Sequence, residues 1–187
     1  MSSTHPDLER RLRRLEDRIE IGELIARYAL VMDNRDVVDM PALFTQDVVI
    51  RSLDGVMNSM GREAAVKLFM ERFKVLGPSN HFSHDRIITF DETTPDRASG
   101  IVLSHAEMNR KGVAMLAAMR YHDVYQRDSM RWKFRERVLT FMYYVPASEY
   151  VDALGPGLAR RNRAYDEPKA ADWPESLVTW KAFHGSY

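Results

Sequence analysis

The apolar residues of this chain change their spacing after residue 76, and this change constrains the fold more than any other feature of the sequence. Before it, apolar residues recur three or four positions apart, which is typical of amphipathic helices. After it they alternate with polar residues, which is typical of strands that bury one face. Helices followed by a run of strands predict an α+β fold in which the helices pack on one face of a sheet.

The first part contains three predicted helices and a short hairpin. A long helix is expected to end at the polar break of residues 33–36, a shorter one to cover residues 37–44, and a third to cover residues 62–76. The β-branched residues 48–50 predict a strand, and the following Asp54-Gly55 pair is a turn signal.

The second part predicts four long strands joined by short turns, which makes neighbouring strands antiparallel. They are expected over residues 81–90, 98–108, 113–125 and 132–145. A strongly bent sheet closed by helices forms a cone, and the open mouth of a cone is a natural pocket for a small molecule. We therefore expect a single α+β, cone-shaped domain over residues 1–145.

The remaining residues, 146–187, differ in composition and predict a C-terminal extension. They contain Trp173, Trp180 and Phe183, which favour docking over disorder. We expect the extension to dock on the domain or on a neighbouring subunit.

Composition excludes several classes of protein. The 187 residues carry 27 Lys and Arg against 27 Asp and Glu, and a zero balance argues against a protein that follows nucleic-acid phosphates. No apolar run approaches the roughly 20 residues of a membrane span. The chain has no cysteine, which excludes disulfides and a cysteine nucleophile. The N-terminus has no apolar core, so we expect a cytoplasmic protein with no membrane or nucleic-acid partner.

Motifs for a bound cofactor are lacking as well. The sequence has no glycine-rich phosphate loop, and among its six histidines only His105-x-Glu107 has a ligand-like spacing. Such a pair on a strand is common by chance. We expect neither a metal nor a nucleotide cofactor.

A few polar residues need an explanation. Asp33 ends the apolar face of the first helix, and Tyr28 lies five residues earlier, so their side chains can reach a common space. Without other information, the simplest interpretation is that Asp33 is a turn residue and that Tyr28 packs in the core. On a strand, His81 and His84 point to opposite faces, so one of them should face the pocket.

Arg137 also needs an explanation, because it stands among apolar residues of the last strand. Strict alternation places it on the face opposite Phe134. An unpaired buried charge is costly, so its guanidinium needs a partner. That partner is a structural carboxylate, such as Asp123 or Glu136, or a ligand.

Two parts of the chain carry a resemblance to a known family. The segment IGELIARYALVMDNRD (residues 21–36), followed by ALFTQDV (residues 42–48), resembles the start of SnoaL-like proteins of the nuclear transport factor 2-like superfamily. Asn80-His81-Phe82 and residues 132–137 are also similar to that family. The resemblance covers roughly residues 8–145 and implies an α+β cone.

Within this superfamily the sequence most resembles cofactor-free lyases: scytalone dehydratase, bile acid 7α-dehydratase and hexachlorocyclohexane dehydrochlorinase. These enzymes carry an aspartate matching Asp33 and a histidine matching His81. A tyrosine of the bile acid enzyme matches Tyr28, and an arginine of the dehydrochlorinase matches Arg137. The resemblance implies a dehydratase or elimination-type lyase that acts on a hydroxylated aromatic or polycyclic molecule through a His-Asp dyad.

The implied roles follow from the chemistry of these side chains. Asp33 would orient His81, which would act as the base. Tyr28 would donate a hydrogen bond to a substrate oxygen, and Arg137 would stabilise negative charge. The middle strands offer His105 as a further substrate-binding group. The predicted apolar pocket wall consists of Met32, Phe69, Phe73, Met115, Met119, Leu139 and Phe141, with Tyr143 as a further candidate.

Other functions remain open at this stage. Residues 48–52 lack the first-strand tyrosine of scytalone dehydratase. The candidate catalytic residues Tyr28, Asp33, His81 and Arg137 would also suit a carbon–carbon lyase that releases formaldehyde from lignin-derived aromatic diols. They would also suit an isomerase or hydrolase with Asp33 as the base, or a non-catalytic binding protein. We expect a homodimer or homotrimer that associates through the outer sheet face, predicted to carry Trp132, Phe134, Val138 and Met142.

Overall fold

The computed structural model describes residues 5–154 and 169–185. Helices and strands follow one another in the predicted order. The α-helices are α1 (His5–Asn34), α2 (Arg62–Phe73) and α3 (Val178–His184), and two short 3₁₀ helices cover Met40–Leu43 and Ala147–Asp152. The strands are β1 (Phe44–Ser52), β2 (Asn58–Met60), β3 (Leu76–Phe90), β4 (Arg97–Arg110), β5 (Val113–Asp128) and β6 (Arg131–Pro146).

The six strands form one curved, unclosed sheet with the order β2-β1-β6-β5-β4-β3. Neighbouring strands are antiparallel except β1 and β6, which are parallel. Helix α1 packs on β3 and β6, and α2 packs on β1, so both helices cover the inner face. The predicted α+β fold is confirmed. Within the described residues, no helix combines the length and the apolar character needed to cross a membrane.

Two predicted helices are shorter in the structure. The carboxylate of Asp36 accepts hydrogen bonds from the backbone N–H groups of Val38 and Asp39, and this turn delays the second helix until Met40. Helix α2 ends at Phe73, and Gly77-Pro78 lie inside β3 at a bulge. The third helix was expected to extend to residue 76, but the residues that follow Phe73 turn into a strand in which this glycine and proline form a bulge.

Two bulges in β6 determine which of its side chains face the core. Tyr125 pairs with Phe134 and Val124 with Glu136, so Arg135 is an extra residue. Each extra residue reverses the alternation of side chains. Phe134 and Arg137, three positions apart, therefore both face the core, whereas strict alternation placed them on opposite faces.

The bulges also correct the predicted association surface. Trp132 is 2% exposed and Phe134 is 0% exposed, so both are core residues. Val138 is buried and Met142 is half-buried. The prediction that these four residues form an exposed outer face is wrong, because it assumed an uninterrupted period of two.

Part of the extension contacts the sheet edge. Strand β1 ends at Ser52, opposite Leu139, and leaves the next part of β6 without a strand partner on that side. There Phe141 donates its backbone N–H to the Asp172 carboxylate (2.7 Å) and accepts the Asp172 N–H at its carbonyl (2.8 Å). The central part of the extension, residues 155–168, lies outside the described residues.

Candidate active site

A cavity that opens to solvent lies between helices α1 and α2 and the inner face of the sheet. Its apolar wall consists of Met32, Met57, Phe69, Phe73, Leu76, Met108, Met119, Leu139 and Phe141. Most of the apolar residues that the sequence predicted for this role line it, but Met115 and Tyr143 do not. The polar lining consists of Tyr28, Arg35, Arg72, Ser79, His81, Tyr121 and Tyr144.

His81 and Asp33 meet at one side of this cavity. Asp33 stands at the end of α1 and His81 on β3, and the Nδ1 atom of His81 lies 2.6 Å from Oδ1 of Asp33. Oδ2 of the same carboxylate accepts the backbone N–H of His81 at 2.7 Å. The hydroxyl of Ser79 donates to Oδ1, also at 2.7 Å. One carboxylate thus holds both the ring and the backbone of His81.

These donors keep Asp33 ionised. Burial alone would raise the pKa of Asp33, but the hydrogen bonds and charge of His81, with the Ser79 hydroxyl, lower the pKa below its usual value. A carboxylate that accepts from Nδ1 leaves Nε2 of the imidazole as the lone-pair nitrogen. The arrangement therefore suits a base at Nε2.

Arg35 stabilises the junction between α1 and β3. Its backbone adopts a left-handed conformation, with φ of 57°, directly after the helix end. Its guanidinium donates to the carbonyls of Met32 and Gly77 and to the Ser79 hydroxyl. The loop that carries Asp33 is thereby tied to the strand that carries His81.

Tyr28 lies on the wall near the base of the cavity, in edge contacts with Phe69, Tyr121 and Phe134. Burial raises the pKa of its hydroxyl, and the charge of Arg137 only partly offsets this effect. Tyr28 therefore keeps its proton at neutral pH, and its hydroxyl can donate a hydrogen bond.

Arg137 lies behind this wall and does not line the cavity. Its side chain is fully buried, and its Nε and Nη2 atoms donate to the two carboxylate oxygens of Asp123 at 2.8 and 2.7 Å. The guanidinium also packs 4.1 Å from the ring centre of Tyr28 and 4.2 Å from that of Tyr121. Of the two partners that the sequence left open, the structure contains the carboxylate. Arg137 contacts the cavity tyrosines from behind, which differs from the direct role implied for it.

His105 does not join the cavity, so its predicted place among the substrate-binding residues is corrected. It alternates with the inward-facing Ser104 and Ala106, which puts its ring on the outer face. There its Nδ1 lies 2.8 Å from Nε2 of His84. Within residues 5–154 and 169–185, no three His, Asp or Glu side chains cluster closely enough to hold a metal ion.

Sequence reasoning missed five polar residues of the lining, namely Arg35, Arg72, Ser79, Tyr121 and Tyr144. Tyr121 and Arg72 carried a usable signal, because Tyr121 shares its strand face with Asp123 and Arg72 follows Phe69 at helical spacing. Tyr144 gave none, since it faces inward only because Met142 is an extra residue in β6. Arg35 stood in a segment that reads as a simple polar break.

Comparison with protein families matches residues 13–138 to the model of the SnoaL-like domain. The chain belongs to the SnoaL-like family. Comparison of this SnoaL-like sequence with curated proteins gives no match.

Solved structures similar to this SnoaL-like protein include small-molecule enzymes of the same fold. A type 3 hexachlorocyclohexane dehydrochlorinase LinA from Novosphingobium barchaimii LL02 has a TM-score of 0.65 and 21% identity, over 72% of this chain and 92% of its own. A scytalone dehydratase-like protein from Novosphingobium aromaticivorans has a TM-score of 0.64 and 18% identity, over 71% and 89%. An NTF2-like protein with a cystatin-like fold from N. aromaticivorans has a TM-score of 0.61 and 26% identity, over 74% and 90%. The SnoaL-like protein therefore shares the NTF2-like fold.

Proposed function

We propose that this SnoaL-like protein is a cofactor-independent lyase of the dehydratase or elimination type, acting on a hydroxylated aromatic or polycyclic molecule. One observation carries the proposal: the His81 ring, held at 2.6 Å by the Asp33 carboxylate, lines an apolar cavity. The neighbouring dehydrochlorinase and dehydratase-like folds support the same class of reaction.

The geometry favours His81 over Asp33 as the base. Both oxygens of Asp33 already accept hydrogen bonds, from Ser79 and from the ring and backbone of His81. Its lowered pKa makes it a weak proton acceptor. An isomerase or hydrolase that uses Asp33 as its base is therefore less well supported than a lyase that uses His81.

The proposed reaction is a β-elimination. Nε2 of His81 removes a proton from carbon, the electron pair of that C–H bond forms a C=C bond, and the bond from the neighbouring carbon to the leaving hydroxyl breaks. Tyr28 donates a hydrogen bond to the departing oxygen, because its raised pKa makes full proton transfer from it unfavourable. The imidazolium returns its proton to that oxygen, so the products are the alkene and water, and His81 is neutral again.

The lining supports an aromatic substrate. Phe69, Phe73 and Phe141 offer ring faces and edges, and methionines fill the spaces between them. Flexible methionine side chains suit a bulky apolar ligand.

The experiment is a turnover assay with a panel of hydroxylated aromatic and polycyclic compounds. The measured signal is the change in ultraviolet absorbance that a new conjugated double bond causes. His81→Ala and Asp33→Asn are expected to lower kcat/KM by roughly 10²–10⁴-fold, the usual contribution of a positioned general base. Circular dichroism and a thermal melt check that each variant folds.

His84→Ala is the matched control, because His84 lies on the outer face of the same strand. It should keep wild-type turnover. Near-wild-type turnover by folded His81→Ala and Asp33→Asn would refute the dyad, and tight binding without turnover of any compound would favour a binding protein.

A further inference from the structure

The charged groups of the cavity wall are unbalanced. Among the described residues that line it, Arg35 and Arg72 carry permanent positive charges and no residue carries a permanent negative one. The Asp33 carboxylate binds His81 without lining the cavity itself, and it acts electrostatically on Arg35 as well. An apolar cavity with excess positive charge favours an anionic ligand.

The two arginines differ in how their donors are used. Arg35 donates to the carbonyls of Met32 and Gly77 and to the Ser79 hydroxyl, so its guanidinium is committed to the loop. Arg72 stands half-buried in the last turn of α2. Across residues 5–154 and 169–185, its side chain has no hydrogen-bond or ion-pair partner. Arg72 is therefore the cation that remains available to a ligand.

A second polar group, the hydroxyl-bearing ring of Tyr144, lines the same cavity as Arg72. Burial raises the pKa of the Tyr144 hydroxyl, while the charges of Arg110 and Arg72 oppose that effect. The hydroxyl donates to the sulfur of Met108, a weak acceptor. An oxyanion would be a stronger acceptor for the same donor.

We propose that Arg72, assisted by the Tyr144 hydroxyl, binds a carboxylate of the substrate. This contact would limit the proposed substrates to hydroxylated aromatic carboxylates. A guanidinium fits a carboxylate through two parallel hydrogen bonds, which fix orientation as well as affinity. This inference rests on the proposed function, because it assigns the far end of the molecule whose reacting carbon lies at His81.

The experiment compares two probes of nearly equal shape, 4-hydroxycinnamate and its neutral amide, by titration calorimetry on the full chain. The wild type is expected to bind the carboxylate at least about tenfold more tightly than the amide, the ratio that one charge-assisted contact supplies. Arg72→Gln should bring the two affinities close together, mainly by weakening carboxylate binding. Arg72→Lys keeps the positive charge but lacks the planar guanidinium. Its ratio of carboxylate to amide affinity should lie between the wild-type ratio and the ratio of Arg72→Gln.

Arg11→Gln is the control, because Arg11 is an exposed arginine of α1 remote from the cavity lining. It should keep the wild-type ratio. His81→Ala should also keep it, which separates this inference from the catalytic one: a preserved ratio without turnover of any substrate would defeat only the lyase proposal. Equal affinities in the wild type, binding of neither probe, or an unchanged ratio in Arg72→Gln would overturn the carboxylate site.

Discussion

Arg137 and Asp123 form an ion pair in which neither side chain has any exposed surface. Tyr125 donates a further hydrogen bond to Asp123 at 2.8 Å, and the rings of Tyr28, Tyr121 and Phe134 enclose the guanidinium. The pair therefore holds the cavity tyrosines in place from below. Loss of one partner would leave a buried charge uncompensated.

Asp123→Asn is expected to lower the free energy of unfolding by about 3–5 kcal/mol, because the Arg137 charge would lose its counterion. Urea unfolding followed by tryptophan fluorescence measures this change. Asp96→Asn is the comparison, since Asp96 pairs with Arg127 but is 59% exposed. That change should cost less than about 1 kcal/mol. Similar losses in the two variants would contradict the structural role of the buried pair.

The Asp33 carboxylate makes stability depend on pH. Its pKa is lower in the folded chain than in the unfolded chain, so its stabilising contribution is present above the unfolded pKa of about 3.9 and is lost as the pH falls through the folded pKa. The difference in unfolding free energy between the wild type and Asp33→Asn should therefore be largest at pH 6–7 and shrink toward pH 3. Urea titrations at several pH values test this. A difference that does not change with pH would contradict it.

At the level of elements, strand β4 needs a glycine at position 100, because the backbone there lies close to a neighbouring carbonyl and to an aromatic ring. A Cβ atom on Gly100 would lie 2.9 Å from the carbonyl oxygen of Ile87 and 3.0 Å from the Tyr125 ring. Real Cβ atoms do not come this close, so the strands or the ring would have to move.

Gly100→Ala is expected to lower the free energy of unfolding by roughly 1–3 kcal/mol, the cost of forcing extra volume into a packed site. The measurement is again urea unfolding, with Ser99→Ala as the control because Ser99 is its exposed neighbour on the same strand. An equal effect at both positions would show that the contact is not restrictive.

The same elements show what sequence periodicity can predict. The order of helices and strands followed from the change in spacing, and the regular period of helices puts Met32, Phe69 and Phe73 on faces that line the cavity. The sequence did not predict which side chains of β6 point to the core. Arg135 and Met142 are extra residues, and their bulges depend on how β6 pairs with β5. Nothing in the local sequence marks such a bulge.

The candidate site also has parts that the sequence could predict and parts that it could not. His81 and Asp33 were paired from a resemblance, and their contact depends on a loop geometry that Arg35 holds through backbone carbonyls. Such carbonyl contacts have no sequence signature. The role of Arg137 required knowledge of burial, because alternation alone could not separate Asp123 from a ligand as its partner.

At the level of the whole molecule, the outer face of β3 and β4 exposes a group of apolar side chains. Ile87 pairs with Ile101, and Leu103 and Phe82 extend the group along the same strands. We propose this outer-face group, in place of the four residues that the sequence predicted, as the surface for association between copies. Burial of such a surface is a common driving force for oligomers.

We expect light scattering during size exclusion to give the mass of a dimer or trimer for the wild type. Introducing charge with Leu103→Glu should shift the protein toward the monomer, because it would bury a charge in an apolar contact. Met60→Glu, at an exposed position of β2, should keep the wild-type mass. A monomeric wild type would end the oligomer prediction.

The double hold of Asp33 on His81 has a stereochemical consequence. Because one carboxylate fixes both the ring and the backbone of this residue, Nε2 approaches a bound molecule from one side only. A methylene group with two mirror-related hydrogens would lose the same one in every cycle. If the proposed elimination takes place, it should remove only one of the two hydrogens, which deuterium placed at one of the two positions would reveal.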